Sequence, residues 1–299
     1  GSTFTVRLPQ RIVGAGVLNH DTLENLRRLR ITVPSQMKRS QIVREQMPYG
    51  SVLVVDDVET NLYVAKGLLT PYGLTIETVE SGFAAIKKIQ QGKVYDVVFM
   101  DHMMPEMDGI EALHALRDLG YTRPVVALTA NALIGHAEMF RESGFDEFIA
   151  KPIDLRQLNA VLNRFVRDQQ PPEVLEAVRR HRDVALGGAG GAMPQASMDP
   201  QLAKIFLRDA AKALSALGAL CEQQVPFNDE DIQTYVINVH GMKSALANIG
   251  EPELSSFALR LEQAGRARDT ATMTTETPSF LSALRAVTEK FAPKANSPK

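Results

Sequence analysis

The sequence is poor in cysteine, in long apolar runs and in net charge, and each shortage removes a class of protein. Cys221 is the single cysteine among 299 residues, so neither an internal disulfide framework nor a cysteine-built zinc site can form. No stretch reaches the roughly 18 apolar residues of a spanning helix, and no leader pattern opens the chain. The expected location is therefore cytoplasmic, with any membrane anchor residing in a longer parent protein. The formal net charge is only -2, but it is unevenly spread. Residues 1–50 hold 8 basic and 3 acidic side chains, residues 51–168 hold 11 and 17, and the remainder holds 14 and 15. The acidic middle needs a reason. With 44% hydrophobic and 23% charged residues, the chain has the composition of a globular protein and the length of two ordinary domains.

From Ser51 onward, short apolar runs alternate with helix-period stretches. Val52-Leu53-Val54-Val55 and Val97-Val98-Phe99-Met100 are unbroken apolar runs, the pattern of strands buried on both faces. Further strands are expected over residues 74–79, 125–128 and 147–150, with helices over 62–69, 83–89, 110–119, 133–143 and 155–166. Five β/α units predict a doubly wound parallel sheet, flavodoxin-like with strand order 2-1-3-4-5 and its site at the carboxyl ends of the strands. Residues 168–197, with Pro171-Pro172 and the run Gly187-Gly188-Ala189-Gly190-Gly191, predict a flexible tether around a short helix at 173–186. Beyond Asp199-Pro200, a capping carboxylate followed by a first-turn proline, only helical patterns remain. They are expected from about 200, over 229–248, over 254–264 and over 280–291, making a small up-and-down bundle.

The acidic residues fall where strands end. Asp56 and Asp57 follow the first strand, Asp101 the third, Thr129 the fourth and Lys151-Pro152 the fifth. Three carboxylates on one rim repel one another, and a hard divalent cation of the Mg²⁺ type relieves them. Carboxylates, a hydroxyl and an ammonium around a metal describe phosphoryl transfer. A dehalogenase-type phosphatase would need a second aspartate two residues after Asp101, where Met103 stands.

The run Val54-Val55-Asp56-Asp57, then Phe99-Met100-Asp101-His102-Met103-Met104-Pro105-Glu106-Met107-Asp108-Gly109, Leu128-Thr129-Ala130 and Lys151-Pro152 resembles a response-regulator receiver domain across residues 51–167. The resemblance implies that Asp101 is the phosphoacceptor. It makes Asp56, Asp57, Asp101 and the Met103 carbonyl the Mg²⁺ ligands, with Lys151 and Thr129 on the phosphoryl oxygens. Thr129 and Phe148 would be the switch pair, although Phe148 lacks the hydroxyl of a tyrosine there.

On the second bundle helix, His240 lies one position past the apolar residue Val239, about 100° from the buried stripe. Lys243 and Ser244 share its face, and the group is expected on an exposed surface. The segment His240-Gly241-Met242-Lys243-Ser244-Ala245-Leu246-Ala247-Asn248-Ile249-Gly250 resembles a histidine-containing phosphotransfer (HPt) domain, here spanning 198–295. That implies His240 as a second phosphoacceptor assisted by Lys243, with Ser244 leaving room for a docking partner.

Residues 1–10, Gly1-Ser2-Thr3-Phe4-Thr5-Val6-Arg7-Leu8-Pro9-Gln10, resemble the closing strand of a histidine-kinase ATP-binding domain, and 11–50 read as a linker. Neither a nucleotide lid nor a dimerisation histidine is present, so this chain is not expected to make phosphohistidine from ATP. The expectation is the C-terminal part of a hybrid sensor histidine kinase, its partners an upstream kinase on the same polypeptide and a downstream response regulator. A stand-alone receiver-HPt adaptor would use the same chemistry. No nucleic-acid contact is expected, because no helix-turn-helix pattern follows the receiver segment, and no membrane contact is expected from this segment.

Overall fold

A computed structural model describes residues 44–129, 136–185, 199–222 and 227–291. The strand expected over 3–8, the helical pattern over 22–29 and the glycine run 187–191 lie outside these residues. From Arg44 onward the described residues belong to one compact unit.

Its first part alternates β1 (Ser51–Val55), α1 (Glu59–Leu69), β2 (Thr75–Val79), α2 (Gly82–Gln90), β3 (Val97–Asp101), α3 (Gly109–Asp118), β4 (Val125–Thr129), α4 (His136–Glu142), β5 (Glu147–Ala150) and α5 (Leu155–Leu162). The sheet is parallel throughout in the order β2-β1-β3-β4-β5. Every residue of β3 and β4 is buried, as expected of central strands covered on both faces. Side chains alternate between two cores. Val52, Val54, Phe99 and Leu128 pack with Leu62 and Leu69 of α1 and Leu158 and Leu162 of α5. Leu53, Val55, Met100 and Ala127 pack with Ala85, Leu113, Leu116 and Phe140 on the other face. Because β1 and β3 are neighbours, the residues that follow them meet at one rim.

The domain begins earlier than the linker expected through residue 50. Met47 is fully buried, and its N–H donates to the Tyr72 carbonyl at 2.7 Å. Within the expected tether, α6 (Pro172–Ala185) is helical.

The second part contains α7 (Pro200–Glu222), α8 (Asp229–Asn248), α9 (Pro252–Arg266) and α10 (Thr270–Phe291). Asn228 caps α8 through a reciprocal pair of bonds with Asp231, satisfying first-turn N–H groups. Phe206, Leu217, Val239, Leu246, Leu261, Phe280 and Leu284 form its core. The last helix starts ten residues before the Phe280 expected from the pattern. Its first turns are rich in threonine, a poor helix former, and Pro278 lies inside it. Tertiary packing decides the matter: Met273 and Thr277 are buried, and the Thr277 and Tyr235 hydroxyls are bonded at 2.7 Å. Among the described residues, no helix is long and apolar enough to cross a membrane.

Candidate functional site

Asp56 and Asp101 are almost completely buried beside Lys151. The Lys151 ammonium sits 2.6 Å from Asp56 Oδ2 and 2.8 Å from Asp101 Oδ2. Asp56 Oδ1 accepts from the Val58 N–H and from Asn61 Nδ2, both at 3.0 Å. Among the described residues, Asp101 Oδ1 has no hydrogen-bond partner, and His102 Nδ1 stands 3.8 Å from it. Asp56, Asp57 and Asp101 each bring a carboxylate oxygen within 4.8 Å of the other two.

The electrostatics follow from that crowding. Burial pushes the Asp57 carboxyl up to about 8, helped by the charges of Asp56 and Asp101. Asp56 is also raised by burial, against the pull of Lys151. Burial acts upward on Asp101 too, but Lys151, His240 and His102 together hold it below the usual carboxylate range. Lys151 is raised, because the two aspartates outweigh its own desolvation. Three oxygen donors, one of them without a hydrogen bond and two of them raised by their own crowding and burial, suit a hard divalent cation.

The other expected residues occupy the same rim. Thr129 is buried at the end of β4. Met103 lies in the turn after β3, and its thioether is reached by Arg266 of α9. Phe148 stacks on Phe140 with ring centroids 6.3 Å apart, and Phe140 meets the edge of His102 at 5.4 Å.

The bundle brings His240 to this rim. Its ring stands T-shaped against His102, centroids 5.6 Å apart, and Asp101, His102 and His240 each offer a donor atom within 4.8 Å of the others. His240 is therefore not on an exposed surface. It is 2% exposed, with Lys243 and Ser244 also buried, because the α/β part covers the face that helical periodicity turned away from the bundle core. A cleft of about 720 Å³ runs between the two parts, lined in part by His102, Met104, Val236, Lys243 and Arg266.

Glu262 of α9 was not visible in the sequence pattern, yet it organises the histidine. Its Oε1 accepts from His240 Nδ1 at 2.9 Å, its Oε2 accepts from Lys243, and Arg266 Nη2 adds a bond to Oε1 at 2.8 Å. Burial is the largest influence and acts upward, but His240 and Lys243 together hold Glu262 well below the usual carboxylate range. Lys243 is itself lowered by burial, which the pull of Glu262 does not fully offset while the charges of Arg266 and Lys151 add to the lowering. An ionised Glu262 can only accept, so Nδ1 carries the proton. In the neutral ring this leaves the lone pair on Nε2, which is buried and, among the described residues, without a hydrogen-bond partner.

The two parts are joined around α1. Val58 is packed in the bundle core, Asn248 Nδ2 donates to Asn61 Oδ1 at 2.9 Å, and Thr60 bonds to Asp209 of α7. None of these contacts has a local signature, since each joins residues more than a hundred positions apart.

Comparison with known proteins divides the chain at the same place. Residues 52–163 match the family model of the response regulator receiver domain, and 201–287 match that of the Hpt domain. The sensor protein GacS of Pseudomonas syringae pv. syringae is 32% identical over 221 residues, covering 71% of this chain and 24% of that protein. The two-component response regulator ORR41 of Oryza sativa subsp. japonica is 35% identical over 117 residues, covering 38% of this chain and 92% of that protein. Among solved structures, the magnesium-bound receiver domain of sensor histidine kinase PA1611 from Pseudomonas aeruginosa PAO1 is 31% identical. It covers 39% of this chain and 97% of that one, with a TM-score of 0.36. The chain spans about a quarter or less of the length of the sensor kinases it matches.

Proposed function

Because the chain belongs to the response-regulator receiver family and carries an Hpt domain on the same polypeptide, we propose that Asp101 and His240 are successive phosphoryl acceptors of its two-component phosphorelay. What carries the reading is that both are buried at one rim, that among the described residues neither Asp101 Oδ1 nor His240 Nε2 has a hydrogen-bond partner, and that their donor atoms lie within 4.8 Å of each other.

Oδ2 of Asp101 is engaged by Lys151, so Oδ1 is the nucleophile. It attacks the phosphorus of a kinase phosphohistidine, the P–N bond breaks, and the departing imidazole takes up a proton. Lys151 and Thr129 meet the phosphoryl oxygens. Mg²⁺, which Asp56, Asp57, Asp101 and the Met103 carbonyl would hold, supplies positive charge against those same oxygens. In the second step the His240 Nε2 lone pair forms the new P–N bond while the acyl P–O bond breaks. The carboxylate of Asp101 is restored. Positive charge gathering on the imidazole is met by Glu262, which keeps the proton on Nδ1 and fixes the ring. Phe148, stacked with Phe140 near His102, is positioned to report the state of the rim with Thr129.

The phosphohistidine comes from a histidine kinase domain, which we place on the same polypeptide in a longer hybrid parent, with residues 1–10 as the end of its ATP-binding domain. Residues 44–167 then form the receiver, 168–197 the tether and 198–295 the phosphotransfer bundle. A separate response regulator takes the group from His240.

The experiment supplies a phosphorylated kinase domain and Mg²⁺ to the full chain and sorts label by acid and alkali lability. Asp101→Asn is expected to lose both pools, and His240→Gln the histidine pool alone. Label on His240 in Asp101→Asn would overturn the order.

A further inference from the structure

We propose that Asp209 of the bundle is the N-cap of the receiver's first helix, supplied across the interface, and that Val58 and Thr60 opposite Gly241 and Asp209 decide which receiver the bundle accepts. This deepens the phosphorelay reading by naming what His240's domain demands of a partner.

The first-turn N–H groups of a helix have no intrahelical acceptor, and a Ser, Thr, Asp or Asn at the N-cap ordinarily meets them. Helix α1 has Val58 there and no side-chain cap of its own. The acceptor comes from 149 positions away. Asp209 Oδ2 takes the Thr60 N–H at 2.8 Å and the Thr60 hydroxyl at 2.7 Å. Asp209 is 4% exposed, and its negative charge sits at the positive end of the α1 dipole.

Val58 explains why the cap is external. Its side chain is 7% exposed and packs into the bundle core rather than the receiver's. A Cβ on Gly241 would stand 2.8 Å from Val58 Cγ2, so the bundle is open at this point only because residue 241 is glycine. The cap position of α1 thus carries an apolar knob for the bundle, and the bundle returns the carboxylate that the knob displaced. Around this pair the contacts are more exposed: Glu59 with Arg208 at 3.1 Å, and Tyr63 with Asp199. A receiver served by the same face must therefore present a small β-branched apolar residue at its first N-cap and a hydroxyl two positions on. One that caps itself with a polar side chain would bring an unmatched group to the bundle core and deprive the buried Asp209 carboxylate of both Thr60 hydrogen bonds, leaving it only the Lys212 ammonium 4.0 Å from its other oxygen.

The test reads closure of the full chain without any phosphate, so its outcome is independent of whether the relay runs as proposed. Spin-label distances between receiver and bundle give the closed fraction, and hydrogen exchange follows the Thr60 amide. Asp209→Ala and Thr60→Val are each expected to lower the closed-to-open ratio about tenfold, with the double variant no worse than Asp209→Ala alone. Thr60→Ser, which keeps both donors, should behave as the parent. The far-ultraviolet spectrum of each full-length variant controls for folding. Fully additive effects, or an unchanged Thr60 amide in Asp209→Ala, would overturn the cap.

Discussion

One carboxylate, Glu262, holds the Nδ1 of the buried His240 and the ammonium of Lys243 at once, as the proposed phosphoryl transfer to Nε2 requires. Replacing Glu262 by Gln leaves the buried Lys243 ammonium unpaired and should destabilise the bundle by about 3 kcal/mol. The pH dependence has a definite sign. Glu262 is held below its ordinary value in the folded chain, so its contribution is complete above the unfolded value of about 4.3 and fades as pH falls through the folded value. Urea unfolding of parent and Glu262→Gln should differ most at pH 7 and measurably less at pH 3, where part of the contribution has been lost. Equal separation at both would contradict the assignment. His240 and Lys243 were readable because they stand three apart on one helix. Glu262 was not, because helical periodicity says nothing of which side chain on another helix will face them. For the same reason the pattern placed His240 on a surface, since it knows the bundle's own core and not what covers the other side.

At the scale of elements, the β/α alternation was readable because buried parallel strands are unbroken apolar runs, and the rim followed from strand order alone. The start of α10 was not, since threonine and proline argue against a helix that buried contacts nevertheless enforce. Helix α3 shows how closely an element can constrain the chemistry. A Cβ on Gly109 would lie 2.3 Å from the Asp101 carbonyl oxygen and 2.8 Å from His102 Cα, both main-chain atoms that cannot swing aside. Gly109→Ala should therefore push α3 and the end of β3 apart, costing about 1–3 kcal/mol and slowing the loading of Asp101. Thermal unfolding and label uptake check the two effects, and normal uptake in a destabilised variant would show that Asp101 had kept its place.

Across the whole molecule, Asp101 and His240 are both buried where receiver and bundle meet, so on the proposed relay a kinase or a downstream regulator reaches neither until the two parts separate. Domain order was legible from motifs, but the docking was not, because its contacts join surfaces with no shared pattern. The pair of half-buried Glu59 and exposed Arg208 allows a direct test. With Glu59→Cys and Arg208→Cys in a Cys221→Ser background, a short thiol-reactive cross-linker should hold the cleft shut. Cross-linked chains are expected to take no label from the kinase, while the uncross-linked variant takes it normally. Uptake through the closed form would show that the cleft admits a partner without opening.

On the proposed relay, the shared burial of Asp101 and His240 also sets a traffic rule. A copy whose acceptors face each other is closed to callers on both sides, so receiving, internal transfer and delivery must take turns. Signal flow then saturates as kinase supply rises, at a ceiling fixed by how often each copy opens and by how many copies the cell holds. A stronger stimulus fills the queue without lengthening the line of open doors.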